Sequence, residues 1–223
     1  MKPEVAGPDG VASLRIESLS DGIYAVALTL LVLELRLPEL PATAADAAVA
    51  AGLATIVPKL LTWLISFLFL ASFWFGLHRV LRQTHALDRR LAVIVLGHLM
   101  LVCIAPFVVA VFGAHTETLT AQLLYNGLLA GMSVSLLAMV FYLDRHAALA
   151  AEPMHGASRR ALLIRLWSLV FCAGCASAIA AVDVRYFGLG YLWMPVAGIW
   201  ARRTGRAARG SRPRAGGRRA ASD

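Results

Sequence analysis

Apolar residues in this chain gather into long runs separated by short polar stretches, instead of alternating with polar ones. A helix needs about 20 apolar residues to cross a hydrocarbon core. Six segments reach or approach that length, near residues 18–37, 55–78, 90–113, 119–143, 161–182 and 185–201. The pattern predicts an all-α membrane protein with six transmembrane helices per subunit. Pro106 falls inside the third segment and should kink it, which membrane helices tolerate when neighbours satisfy the freed carbonyl. Gly127 and Gly131 in the fourth form a small-xxx-small pair that permits close helix approach. Gly188, Gly190, Pro195 and Gly198 make the sixth a weak or broken helix, and Asp183 and Arg185 are spaced to pair just before it. No internal repeat is visible, and six unrepeated helices rarely enclose a pore alone.

Composition agrees with the pattern. The 223 residues are 59% hydrophobic and 15% charged, against roughly 45–50% and about 25% in soluble domains. The net charge of +8 is concentrated at one end: residues 202–223 carry eight arginines and one acid, Asp223. A tail rich in Arg, Gly and Ala has no apolar face to bury and is expected to be disordered. It suits anionic lipid headgroups at a cytoplasmic membrane surface, and nucleic-acid binding is not expected. The resulting layout is a polar segment 1–14, a membrane domain 15–201 and the tail.

Loop charge sets the topology. Residues 79–90 hold Arg79, Arg82, Arg89 and Arg90, and residues 144–165 hold Arg145, Arg159, Arg160 and Arg165. The loop at 38–54 has Glu39 and Asp46 with no Lys or Arg. The positive-inside rule therefore puts both termini and the two basic loops in the cytoplasm. The polar, Pro- and Gly-containing first fifteen residues lack the form of a cleavable signal peptide.

Few residues could carry chemistry. Cys103, Cys172 and Cys175 lie in apolar runs, and Cys172-Ala-Gly-Cys175 lacks the electropositive, exposed setting that activates a thiol. His85, His98, His115, His146 and His155 show no metal-ligand spacing on one helix. No Ser/His or paired-Asp arrangement falls within the spans, so no catalytic residue, metal or cofactor is expected.

Arg15, Ser20 and Asp21 stand out, because charged groups beside a bilayer core are costly unless paired or hydrated. Arg15 lies six positions before Asp21, an awkward spacing for a local ion pair. Trp74 and His78, one turn apart on the second span, sit at the same membrane level as Asp21 and offer hydrogen-bond donors. The same residues also read as an interfacial Trp/His belt beside an N-cap at Ser20 or Asp21, and spacing alone leaves both open. Val26, Leu30 and Leu33 make an apolar stripe beside Thr29, which lies about 12 Å along the helix from Asp21. Periodicity alone makes that stripe plain packing.

Arg15-xxx-Leu19-Ser20-Asp21, with the apolar run to Glu34, resembles the Arg-xxx-Phe-Ser-Asp signature of the bacterial homologues of the lysosomal/endosomal potassium channel. Phe73-Trp74-xxx-His78-Arg79, Pro106-Phe107 and Leu124-Tyr125 resemble further parts of that family's pattern. The resemblance covers residues 15–200. It implies a homotetramer in a bacterial plasma membrane whose first helices line a pore for potassium. Val26, Leu30 and Leu33 would form a hydrophobic constriction, tightest at Val26, and Thr29 a hydroxyl layer favouring potassium. Arg15, Ser20, Asp21, Trp74 and His78 would form a bracing network.

Three positions depart from the family pattern. Leu19 replaces the motif Phe, Leu77 stands where many bacterial members carry a second His, and Val26 is smaller than the usual Ile or Leu. No TVGYG-like run is present, so selectivity would come from the constriction and a few polar groups. A secondary transporter would want ionisable residues near the midplane and, commonly, repeated halves. A non-conducting membrane scaffold is the other alternative.

Overall fold

The structure is a computed structural model and describes residues 8–41, 43, 45–84, 87–149 and 156–191. Six α-helices follow one another: α1 (Pro8–Leu30), α2 (Asp46–Thr55), α3 (Val57–Leu81), α4 (Arg89–Ala114), α5 (Leu119–Arg145) and α6 (Gly156–Val182). All except α2 contain stretches long and apolar enough to cross a membrane. The molecule is thus an all-helical, multi-pass membrane protein with five such helices among the described residues.

The sixth expected span begins as a 3₁₀ turn, Val184–Tyr191, and residues 192–201 lie outside the described residues, as does the tail 202–223. That turn packs back against α6, where a Cβ added at Gly190 would meet the Ala176 backbone at 2.5 Å. Asp183 accepts the backbone N–H of Arg185 at 3.0 Å, so it caps the turn and makes no side-chain ion pair with that arginine.

Two elements differ from expectation. Residues 46–54, within the stretch 38–54 read from sequence as loop, form α2 together with Thr55, because Asp46-Ala-Ala-Val-Ala-Ala is rich in the best helix former and carries an acid in its first turn. The first helix starts at Pro8, inside the expected polar segment 1–14, of which residues 1–7 lie outside the described residues. Ser20 and Asp21 are therefore interior to α1, and neither is an N-cap. The hydroxyl of Ser20 bonds back to the Ile16 carbonyl at 2.7 Å.

The core centres on α5, which packs extensively on α4 and α6. Over its most apolar stretch 56% of residues are buried, against 22% for Leu14–Glu34. Met132, Leu136, Met139 and Val140 of α5 meet Leu91, Val95, Leu99 and Val102 of α4 in one continuous cluster. Gly131 faces α4, where an added Cβ would lie 3.3 Å from Leu101, whereas the space beside Gly127 is open. The peripheral α1 lies against α3 and α4 only on one side. Cys172 is buried, Cys175 half-buried and Cys103 exposed, and none forms a disulfide.

A free helical face and its bracing network

At about 100° per residue, Ser20, Tyr24, Ala27 and Leu31 share one face of α1 and are almost fully buried. Gly22, Val26 and Thr29 cluster on the opposite face within an arc of about 60°, and all three are exposed. Leu30 lies at the edge of that arc. At Leu31 the helix tightens into a 3₁₀ turn, Leu31–Glu34, in which positions three apart eclipse. Leu33 consequently stacks above Leu30, and the stripe ends in a double leucine layer. Val26 is 57% exposed, Leu30 41% and Leu33 58%.

Bulky exposed apolar stripes occur elsewhere, as at Val93, Leu96, Met100, Ile104 and Phe107 of α4. The α1 face differs because it mixes Gly22, Ala25 and the hydroxyl of Thr29 with apolar side chains. That hydroxyl donates to the Val26 carbonyl at 2.8 Å, which spends its proton and leaves the oxygen as an acceptor.

At the α1 level of Asp21, the Trp74 indole N–H donates to Asp21 Oδ1 at 2.8 Å. His78, one turn further along α3, stacks on Trp74 with ring centroids 5.6 Å apart at 24°. Its Nδ1 stands 3.3 Å from Glu17 Oε1, within ion-pair range but without hydrogen-bond geometry. Two acids of α1 and two rings of α3 therefore meet at one level. Arg15 is exposed and makes no salt bridge among the described residues. Ser20, about 100° round the helix from Asp21, is buried in the bundle. Leu77, at the position of a second family histidine, is buried in the core, and Leu19 is 46% exposed.

A second polar link was not visible from spacing. Tyr24 Oη and His98 Nε2 lie 2.7 Å apart, and His98 Nδ1 lies 2.6 Å from Ser135 Oγ. Ser135 donates its own proton to the Met132 carbonyl, so it accepts from Nδ1–H, leaving Nε2 to accept from Tyr24. The chain joins α1, α4 and α5 through the core. Its signal in the sequence was a lone histidine inside an apolar run, a position that carries functional weight by default.

At the same bundle end as Asp21, Asp88 caps α4 by accepting from the Leu91 N–H at 2.9 Å and takes a hydrogen bond from Tyr142. The Tyr142 hydroxyl first, then the Leu91 amide and the nearby His146 and Arg90, hold the Asp88 carboxyl below its ordinary range. Arg159 makes a forked pair with Asp144. Among the described residues no group of His, Cys, Asp and Glu could hold a metal ion.

These features define a multi-pass helical membrane protein whose first helix offers an unpartnered face backed by a buried polar relay. The family model for the endosomal/lysosomal potassium channel TMEM175 matches residues 15–106, from the Arg15 motif to Pro106. A potassium channel of Streptomyces collinus is 26% identical over 155 residues, covering 68% of this chain and 74% of that protein. A potassium channel of Chamaesiphon minutus is 31% identical over 137 residues, covering 58% and 65%. The crystal structure of a lysosomal potassium-selective channel TMEM175 homologue from Chamaesiphon minutus matches with a TM-score of 0.63 at 23% identity, over 91% of this chain and all of that one. Over residues 15–106 the chain is similar to the TMEM175 family, its similar relatives are bacterial potassium channels, and its fold matches that of a bacterial TMEM175 homologue. The family and these relatives are ion channels, not enzymes.

Proposed function

We propose that the protein is a potassium-preferring channel of a bacterial plasma membrane, assembled as a homotetramer of six-helix subunits with α1 lining the pore. The observation that carries this reading is the free face of α1. A subunit that buries Tyr24, Ala27 and Leu31 leaves Gly22, Val26, Thr29, Leu30 and Leu33 facing outward. Four such faces around an axis make a conduit. Relatives described as potassium channels support the ion's identity.

Both termini lie in the cytoplasm in this reading, so Asp21 marks the inner mouth and Leu33 the outer constriction. The carboxylates of Asp21 and Glu17 concentrate cations at the mouth. A cation then meets Val26, the narrowest apolar layer, and loses part of its water there. Potassium gives up hydration more readily than sodium, so the ring discriminates by dehydration without a carbonyl cage. Thr29 oxygens, their protons already committed to Val26 carbonyls, offer acceptors just past that layer. Leu30 and Leu33 keep the remaining path dry. Asp21, Trp74 and His78, with Ser20 and Arg15 flanking, set the position of the inner end of α1. The Arg-rich tail lies along anionic headgroups beneath the membrane domain.

Reversal potentials of the reconstituted full-length protein under a potassium/sodium gradient test this reading. A shift toward the potassium equilibrium potential is expected. Absence of current rejects the channel, and a potential midway between the two ions rejects the preference.

A further inference from the structure

At the end of the bundle remote from Asp21, the end of α1, the first turns of α3 and the last turn of α4 border a narrow crevice with room of about 50 Å³, enough for one polar end of a ligand and too little to enclose a whole small molecule. It is separate from the free face of α1, being walled by the buried Leu31 and by Leu35. Glu34, Lys59, Thr62 and Trp63 supply its polar edge. Lys59 and Trp63 lie four apart on α3 and so point the same way.

Three observations indicate what this crevice takes. The Trp63 indole nitrogen is buried and has no hydrogen-bond partner, and such a donor is costly to leave unmade. Lys59 and Glu34 both line the crevice, yet neither makes a salt bridge among the described residues. The helix ends also oppose each other: the N-terminus of α3 presents positive partial charge, and the C-terminus of α4 at Gly113 and Ala114 negative. The floor is open, since an added Cβ at Gly113 would meet only Thr62, at 3.9 Å.

The crevice thus carries a positive, donor-rich side and a negative side a short distance apart. It lies within the first two turns of α3, at the membrane interface where phospholipid headgroups reside. We propose that it holds the headgroup of a zwitterionic aminophospholipid, with the phosphate on Lys59 and the Trp63 N–H and the ammonium toward Glu34. A lipid carrying only negative charge would set its phosphate on Lys59 but leave Glu34 opposed to it. A neutral lipid would leave both charges unmet. Occupancy ties the outer ends of α1 and α3 together, beside the Leu30–Leu33 layer.

Native mass spectrometry of the purified full-length protein, titrated with phosphatidylethanolamine, phosphatidylglycerol and inorganic phosphate, tests the assignment. Wild-type protein should retain phosphatidylethanolamine at one copy per subunit, several-fold in preference to phosphatidylglycerol, and no inorganic phosphate. Lys59→Gln and Trp63→Phe should each lower that retention about tenfold, the size of one lost charge-assisted hydrogen bond. Lys59→Arg should restore it, which separates lost charge from a damaged fold. Glu34→Gln should abolish the preference between the two lipids. Equal retention of both lipids by the wild type, wild-type retention in the Lys59 and Trp63 variants, or comparable capture of inorganic phosphate would overturn the proposal. The readout is bound mass, so it stands or falls separately from conduction.

Discussion

Tyr24 and His98 share a 2.7 Å hydrogen bond between α1 and α4, with both side chains almost fully buried. The free and buried faces of α1 are fixed relative to each other, so this bond helps set how far the helix is rotated. Tyr24→Phe removes the donor and strands His98 Nε2 in the core, a loss of about 1–3 kcal/mol. His98→Leu strands Tyr24 similarly. Replacing both partners by apolar groups can be nearly neutral, so the double variant should be more stable than the summed single losses imply. Thermal melting in micelles measures the cycle. Additive losses would show that the two residues are not coupled.

The link between Asp21 and Trp74 lies nearer water and should count for less. Trp74→Phe and Asp21→Asn should each lower stability by about 1 kcal/mol, and together by little more than either alone. If α1 lines the pore as proposed, both variants should also change single-channel conductance, because the bond joins the Asp21 end of α1 to α3. A normal conductance in both would remove this network from the pore's support.

Much of the architecture was legible because membrane helices announce themselves by length and apolar content, which tertiary contacts do not alter. Five of the six expected segments correspond to long helices: α3, α4 and α5 agree closely at both ends, α6 starts at Gly156 instead of 161, and α1 starts at Pro8 instead of 18 and ends at Leu30, its 3₁₀ turn stopping at Glu34 short of the expected 37. The upstream stretch is too polar to register as a span, yet local bonds such as Ser18 to Leu14 and Ser20 to Ile16 continue the helix. The short α2 was missed because ten Ala-rich residues fall well below a span. Trp74 and His78 could be brought to the level of Asp21 by helical spacing. Pairing His98 with Tyr24 could not, since the two are 74 positions apart and their meeting depends on how α1 and α4 are rotated. Glu17 beside His78 was missed for the same reason.

Gly190 packs against backbone, not against a flexible side chain. A Cβ there would stand 2.5 Å from both Cα and N of Ala176, so neither neighbour can yield without moving α6. Gly190→Ala should lower the melting temperature markedly, on the scale of overpacked cores at about 1–3 kcal/mol. Gly97→Ala, in a helix position with nothing within 4 Å, should be neutral or stabilising by up to about 1 kcal/mol. Similar melting of the two variants would mean that the 3₁₀ turn does not hold its place on α6.

Asp88 gives the fold an acid-sensitive point. Its folded-state pKa is lowered, first by the Tyr142 hydroxyl. The stabilisation is therefore present above the ordinary carboxylate range and is lost as pH falls through the lowered folded value. Melting temperature should decline with acidification over that window, and Asp88→Asn should flatten the decline while lowering stability at neutral pH. Tyr142→Phe should flatten it in the same sense by removing the main cause. An unchanged slope in both variants would assign the acid sensitivity to other groups.

The free face of α1 permits the sharpest test of conduction. Val26 is 57% exposed in the subunit, so a polar side chain there creates no buried unsatisfied group within one chain. Val26→Asn should leave folding near wild type. If four copies of Val26 ring an ion path, the same change wets the narrowest layer, raising flux and lowering potassium over sodium preference. Leu30→Asn should do so more weakly, because Leu33 stacked above it keeps a second apolar layer in place. Val26→Ile adds one methylene and should act in the opposite direction, with lower flux and stronger discrimination. Lipid exposure of this face predicts something else: both Asn variants would be destabilised by burying an amide in hydrocarbon, and Val26→Ile would be silent. Flux assays in proteoliposomes, paired with melting curves of the three variants, separate these outcomes.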